Sequence, residues 1–496
     1  MEGMMLLFLV MAYLLVTIAI GLMAAKRVKN SADFAIAGRH LPFAMIVTTT
    51  FATWFGSETV LGIPAKFVQS GLHGVVEDPF GAGTCLILVG LFFAPKLYKK
   101  TLLTISDYYR ERYGRVVELC CSLIIMVSYL GWVSAQVTAL GVVFNVLSDG
   151  FISIHVGMVI GVVSILAYTL FGGMWSVAIT DFIQMIILVV GLAILAVFAG
   201  EQAGGASRVV ELAVSRNMFH VFPEPNLHEV LFFIASAITM MLGSIPQQDV
   251  FQRVMSADSE YAATRGPIVG GICYIVFAFV PMFLVVSALL IMPERAEQLI
   301  VQDPQKVLPT LVVERMPFIM QVLFFGALLS AIKSCASATL LAPSVTFTEN
   351  IWRQIRPYKD DASELKTMRI TVLVFSCLVL AYAMAMEGTS IYELVSGAYQ
   401  VTLVGAFIPL VCGLYWSRAT TQGAIFSLML GVLGWLLCIA TPLGEQFPAQ
   451  LAGLSGAIVG MVLGSVAPQV IRNTHGEHHR VEGLEDMQGC SVAPQV

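Results

Sequence analysis

The sequence predicts an all-α integral membrane protein of about thirteen transmembrane helices, and three observations carry that prediction. Only 12% of the 496 residues are charged and 57% are hydrophobic, whereas ordinary soluble domains carry about 25% charged residues. Runs of about 20 apolar residues, the length that crosses a hydrocarbon core, recur along the whole chain. The basic residues between those runs sort by side.

The apolar runs fall at roughly 5–25, 42–70, 77–97, 116–146, 152–171, 175–199, 227–252, 264–292, 318–348, 368–386, 391–415, 422–441 and 448–468. With the N-terminus outside, the inner loops and tail hold 20 of the 27 Lys and Arg residues. That is a positive-inside bias, which one missed span would abolish. The expected location is therefore the cell (inner) membrane, multi-pass, with the C-terminus cytoplasmic. The first run lacks a basic segment before it and a cleavage site after it, so it reads as a retained span. The segments expected are 1–41 (first span and inner loop), 42–199 (spans two to six), 200–226 (outer loop), 227–415 (spans seven to eleven), 416–470 (two C-terminal spans) and 471–496 (a polar, disordered tail).

Other classes find little support. The nine cysteines are scattered without CxxC spacing, which excludes a disulfide framework or structural zinc. The net charge of −5 is spread over loops and tail and suggests no nucleic-acid partner. His475, His478 and His479 in "HGEHH" read as solvated tail residues rather than metal ligands. "SVAPQV" occurs at 465–470 and 491–496, a repeat without a physical account. All eight histidines lie at loops, helix ends or the tail, and no general-base arrangement suggests an enzyme or a catalytic residue. A membrane sensor is the alternative; with about 28 residues after the last span, it would act through a separate partner.

Two spans carry interruptions. The second contains "TFATWFGSETVLGIPAKF" (50–67), with Gly56, Gly62 and Pro64; the seventh contains "MMLGSIPQQDVFQR" (240–253), with Gly243 and Pro246. Proline removes a donor and clashes with the preceding turn, and glycine weakens a helix. Freed carbonyls at membrane depth must be buried in protein or line a cavity. Two breaks five spans apart fit an inverted repeat with a binding site between them.

Four ionisable residues fall inside spans: Glu58, Asp181, Asp249 and Lys333. Asp249 has Arg253 at i+4, which suggests structural pairing. Glu58 flanks the first break, where it holds a solute, a coupling cation or the broken backbone itself. Asp181 has two readings, a stop for a passing cation or a partner for Lys333. Lys333 lies in "GALLSAIKSCASATLLAP" (326–343), 18 and 20 residues from Arg315 and Arg353. That is roughly 27–30 Å of helix either way, so its ammonium needs a buried partner or a water-filled crevice.

"GGMWSVAITDFIQ" (172–184) resembles the signature of the sodium/solute symporter family, relatives of the sodium–proline and sodium–glucose transporters. "GSETVLGIPA" (56–65), "QQDVFQRVMSADS" (247–259), "LLSAIKSCASATLL" (328–341) and "GLYWSRATTQGA" (413–424) agree in order. The resemblance implies the leucine-transporter-like fold, in which spans two to eleven form two inverted five-helix repeats with discontinuous helices. It also implies secondary active import of a small solute by alternating access, with a coupling ion and no other cofactor. The sodium ligands it implies are Ala52 and Phe55, then Ala331, Ser334 and position 335, with Asp181 as a secondary stop. At 335, where the family has Ser or Thr, this chain has Cys335, a soft donor for a hard cation. Lys333 also departs from the family's apolar residue. Together they leave sodium coupling, proton coupling and sodium independence open.

On a helical wheel, Ala331, Ser334 and Cys335 fall at about 0°, 300° and 40°, and Lys333 near 200°. Lys333 thus leaves the helix opposite the expected cation face. Three roles compete: pairing with Asp181 in place of sodium, facing a scaffold-side crevice, or a structural pair outside transport. The resemblance draws solute contacts from the two breaks, namely Ser57, Glu58, Thr59, Gln247 and Gln248. Those residue types leave sugars, amino acids, carboxylates and amines open, and Glu58 inclines towards a positive or hydroxylated solute. Oligomeric state is not legible.

Overall fold

The computed structural model of the protein describes residues 2–148 and 150–471. The histidine cluster at 475–479, Cys490 and the second "SVAPQV" lie outside the described residues. Everything described is helix and connection, with one isolated parallel bridge between Leu41 and Ala257.

Ten helices are long and apolar enough to cross a bilayer as they stand, and the bent pair Leu227–Gly243 and Gln248–Ser256 makes an eleventh span. One of the ten, Ile154–Gln202, has 49 residues, about 74 Å of helix and more than twice the hydrocarbon thickness. It is two spans joined at Gly173, whose φ of 46° and ψ of −138° are not helical. The remaining span is the interrupted second one, Phe43–Trp54 followed by Ile63–Gly74. Thirteen spans result.

The breaks differ in detail from expectation. In the second span the helix ends at Trp54, Phe55 leaves it (φ −85°, ψ 71°), and a π-helical turn at Glu58–Gly62 restarts the rod. Gly62 and Pro64 therefore sit inside helix; Pro64 follows the π-helical turn, whose widened ring takes up the hydrogen bond that its missing N–H cannot make. Gly56 is the residue the break requires. A β-carbon there would lie 2.7 Å from Glu58 Oε2 and 2.9 Å from Cys335 Cβ. In the seventh span Ser244 to Gln247 separate two helices that meet at 43°.

The ninth span, Phe318–Thr346, is the central rod, buried on every side from Ala327 to Thr346. The long helix of spans five and six and the fourth span pack against it, and the first span touches its flank. The last two spans, Thr421–Ala440 and Ala449–Val466, approach each other through glycines. A β-carbon on Gly460 would meet Phe426 O at 2.4 Å, the small-residue contact that brings backbones together in lipid. The bridge at Leu41 closes a further contact. Leu41 N–H donates to Ser256 O and Asp258 N–H to Leu41 O, each at 2.9 Å, so the start of the second span is stitched to the end of the seventh.

Gly173→Val should destabilise the fold by roughly 1–3 kcal/mol from the backbone conformation alone, and its β-carbon would also fall 2.3 Å from Phe34 O. Gly326→Ala, inside the ninth span and with nothing within 4 Å of the added β-carbon, should leave the melting temperature unchanged or raise it, by up to about 1 kcal/mol of stability. A thermal unfolding series monitored by size-exclusion fluorescence checks both.

Candidate functional site

The break in the second span is held by one glutamine from the fourth. Gln136 Oε1 accepts the Ser57 backbone N–H at 2.9 Å, and Gln136 Nε2 donates to Glu58 Oε2 at 2.5 Å. Trp132, one turn earlier, donates its indole N–H to Glu58 Oε1 at 3.2 Å. The Cys335 thiol lies 4.0 Å from the same oxygen.

A second carboxylate comes from the other break. Asp249 accepts the Trp54 indole N–H at 3.3 Å and the Tyr129 hydroxyl at 2.5 Å. The expected Asp249–Arg253 ion pair does not form, because Arg253 Nη1 donates to the Asp249 backbone carbonyl at 2.9 Å instead. Arg253 follows by one turn on the same helix, and its guanidinium caps that carbonyl while the carboxylate turns towards the break.

Aromatic rings fill the space between these acids. Tyr399 stacks on Trp54 at 5.9 Å and tilts against Trp132 at 5.2 Å, Trp54 meets Trp132 edge-on at 5.9 Å, and Tyr129 stacks on Trp132 at 6.0 Å. The rings come from spans two, four and eleven. Each indole is aimed by a carboxylate, Trp132 by Glu58 and Trp54 by Asp249. The result is a box of four aromatic faces with two acids whose oxygens have no cationic partner within 4.0 Å among the described residues.

Beneath the box lies a cluster of oxygens. Ser334 Oγ contacts Asp181 Oδ1 at 2.5 Å and Ala52 O at 3.1 Å, and Thr49 donates to Asp181 Oδ2 at 2.5 Å. Ser334 has a single proton. Given to Asp181, it leaves a Ser334 lone pair facing the Ala52 carbonyl, an acceptor–acceptor contact that a small cation resolves. The oxygen-only donor set suits a hard ion. Phe55 and Ala331 belong to the same two segments and are buried. Cys335 faces Glu58 rather than this cluster.

Residues 34–431, four-fifths of the chain, match the model of the sodium:solute symporter family. The chain belongs to the sodium:solute symporter family. Among curated relatives, this symporter is 28% identical over 445 residues to the High affinity choline transporter 1 of Homo sapiens, covering 85% of this chain and 75% of that one. It is 26% identical over 466 residues to the High-affinity proline transporter PutP of Bacillus subtilis, covering 91% and 95%. A solved Na+-coupled sialic acid symporter in a substrate-bound outward-open state superposes with a TM-score of 0.82 at 19% identity, over 96% of this chain and 99% of that one. The fold is thus the leucine-transporter-like one, and the family is one of cation-coupled membrane transporters of small solutes.

Within this symporter the expected solute residues divide. Glu58 lies at the box, and Ser57 reaches it through Gln136. Thr59 faces away, 2.9 Å from the Tyr274 hydroxyl on the eighth span. Gln247 donates to Ser128 Oγ at 3.0 Å on the fourth span. Gln248 is not at the break; its Oε1 accepts the Ile105 N–H at 2.8 Å, tying the seventh span to the short helix Ile105–Tyr113. It is the first residue of its helix, and its amide is taken up by the Leu103–Ile105 backbone.

Lys333 does not pair with Asp181. Both oxygens of Asp181 are taken by the hydroxyls of Thr49 and Ser334, and Lys333 points to the other side of the ninth span, as the wheel placed it. Nor does it face a crevice: it is fully buried. Its ammonium donates to Thr17 Oγ1 of the first span at 2.6 Å and sits 5.3 Å from the Tyr168 ring centroid. Trp54, Trp132, Tyr129, Tyr399 and Gln136 went unselected in the sequence. Aromatic residues inside spans read as packing until the fold brings them together.

Thr17 Oγ1 also donates to Leu14 O at 2.9 Å, so removing the lysine strands no hydroxyl. Lys333→Met should leave stability unchanged or higher, because a buried ammonium is replaced by a flexible apolar chain of similar length. Thr17→Val should cost about 1–3 kcal/mol by leaving the ammonium without its acceptor. Thermal unfolding of the two purified variants measures both effects.

Proposed function

We propose that this symporter imports a small organic cation of the methylated-ammonium class, driven by sodium, across the cell membrane with its N-terminus outside. The observation that carries the reading is the aromatic box with two carboxylates, neither in an ion pair within 4.0 Å among the described residues, although the buried Arg253 guanidinium lies one turn from Asp249. A quaternary ammonium spreads its charge over methyl groups and donates no hydrogen bonds, so it is recognised by ring faces and distant negative charge. Sugars would need many directed donors and acceptors, and carboxylate solutes would meet Glu58 and Asp249 as like charges. The relative named for choline, a quaternary ammonium alcohol, agrees with this choice.

The rings stand 5.2–6.0 Å apart, in contact with one another. Admitting a methylated ammonium requires them to part, and they ride on three different spans. Trp54 precedes the first break and Asp249 follows the second, so relative motion of the interrupted helices opens or closes the box. That couples solute binding to alternating access. Sodium is assigned to the oxygen cluster of Ala52, Phe55, Ala331 and Ser334 with Asp181 behind it. Cys335 contributes no oxygen there and instead forms part of the wall beside Glu58. Lys333, on the far side of the ninth span, has no part in the coupling.

Uptake of radiolabelled choline into proteoliposomes tests the reading. Saturable, sodium-driven uptake that excess betaine inhibits and excess proline or glucose does not is expected. Each ring contributes about 0.5–2 kcal/mol, so Trp132→Ala or Tyr399→Ala should raise the choline KM about 2- to 30-fold. Inhibition by proline or glucose but not by methylated ammonium compounds would overturn the solute class. Unchanged uptake with sodium replaced by potassium would remove sodium as the driver.

A further inference from the structure

The third span, Val76–Lys100, and the eighth, Glu260–Ile291, touch through their backbones. A β-carbon on Gly83 would lie 3.0 Å from Gly271 O, and one on Gly90 2.4 Å from Thr264 O. Against this contact lies a groove of about 470 Å³, walled by Leu91 and Pro95 on one side and Tyr261, Arg265 and Ile268 on the other. Its two ends differ in chemistry. Leu91 and, one turn beyond Ile268, Ile272 are about half exposed, an apolar trough that within a bilayer only lipid chains cover. At the other end, Lys99 Nζ pairs with Glu260 Oε1 at 3.1 Å. Arg265 makes no ion pair within 4.0 Å among the described residues. Tyr261 is exposed there, its ring centroid 5.3 Å from that of Phe43, the arrangement of an aromatic residue at the membrane surface.

Two cations therefore face one acid at the mouth of a groove that is otherwise apolar. We propose that an anionic phospholipid occupies it, its phosphate on Arg265 and one chain along Leu91 and Ile268. A zwitterionic headgroup carries its own cation and gains less from the spare positive charge. The orientation proposed above puts this mouth at the cytoplasmic leaflet, where anionic lipids attract basic residues; the groove itself does not depend on that orientation. Its location gives the lipid a mechanical role. Tyr98, beside Lys99, donates its hydroxyl to Ala257 O at 2.9 Å and accepts Arg39 Nη2 on its carbonyl at 3.1 Å. Ala257 is bridged to Leu41, so the end of the third span, the end of the seventh and the start of the second meet in one knot. A lipid held between the third and eighth spans at this mouth braces that knot from the membrane side.

Titration of dioleoyl phosphatidylglycerol into the purified full chain in neutral detergent, with bound lipid counted by native mass spectrometry, tests the proposal. The wild type should hold phosphatidylglycerol more tightly than dioleoyl phosphatidylcholine. Arg265→Gln should weaken phosphatidylglycerol about 5-fold, the worth of one cation near a charged headgroup, and leave phosphatidylcholine unchanged. Glu260→Gln, which frees Lys99, should strengthen phosphatidylglycerol by a similar factor. Lys366→Gln, at an exposed cation on the tenth span, should change neither. The opposite signs of Arg265→Gln and Glu260→Gln separate a headgroup site from a general loss of folding. Equal binding of the two lipids by the wild type, or wild-type phosphatidylglycerol affinity in both Arg265→Gln and Glu260→Gln, would overturn the proposal. So would displacement of the lipid by equimolar glycerol phosphate, which would mark an anion site that needs no lipid. No solute enters the readout, so failure here leaves the solute assignment standing, and the reverse holds too.

Discussion

An interrupted helix inside a bilayer must have its released peptide groups met by protein, since lipid offers none and each orphan costs several kcal/mol. In the second span Gln136 meets that requirement from both ends of its amide, taking the Ser57 N–H on its oxygen and giving its NH2 to Glu58. The clamp works only because Gly56 has no side chain to keep Gln136 and Cys335 away. Glu58 is thereby fixed in place, Trp132 is aimed by Glu58, and the rest of the box is built on Trp132. A single glutamine contact thus sets the position of the first carboxylate and of the ring beside it.

The charges are arranged by side of the ninth span. One face carries Ser334 towards Asp181 and Ala52, its neighbouring face carries Cys335 towards Glu58, and its back carries Lys333 towards the first span. The rod is buried all round, so each side chain meets only the helix it faces. This explains how a lysine can lie one residue from Ser334 without competing for the same acids. Its neighbours on the back are a hydroxyl and a phenol ring, which accept an ammonium without neutralising it.

Much of the fold was legible because bilayer physics is severe: span length, loop charge and the two glycine–proline interruptions are visible one residue at a time. Within the breaks the reading was coarser. Gly62 and Pro64 have the composition of a break yet sit in helix, because the π-helical turn at Glu58–Gly62 absorbs them. The back-facing direction of Lys333 followed from helical periodicity, but Thr17 did not, since it lies 316 residues away. The aromatic box was invisible for the same reason. Trp54, Trp132 and Tyr399 are unremarkable alone and gain meaning only when three spans converge. Asp249 was misread because sequence spacing offered Arg253 as a partner, while the backbone carbonyl was the nearer acceptor.

The stitch between Leu41 and the segment 256–258 constrains how the molecule can change shape. Two backbone hydrogen bonds hold the start of one interrupted span to the finish of the other, so those ends travel together as a pivot. The two interrupted spans are in this respect joined near one membrane face, whereas at the other the arm Ile63–Gly74 is held by the outer loop, Leu72 N–H donating to Met218 O and His73 N–H to His220 O.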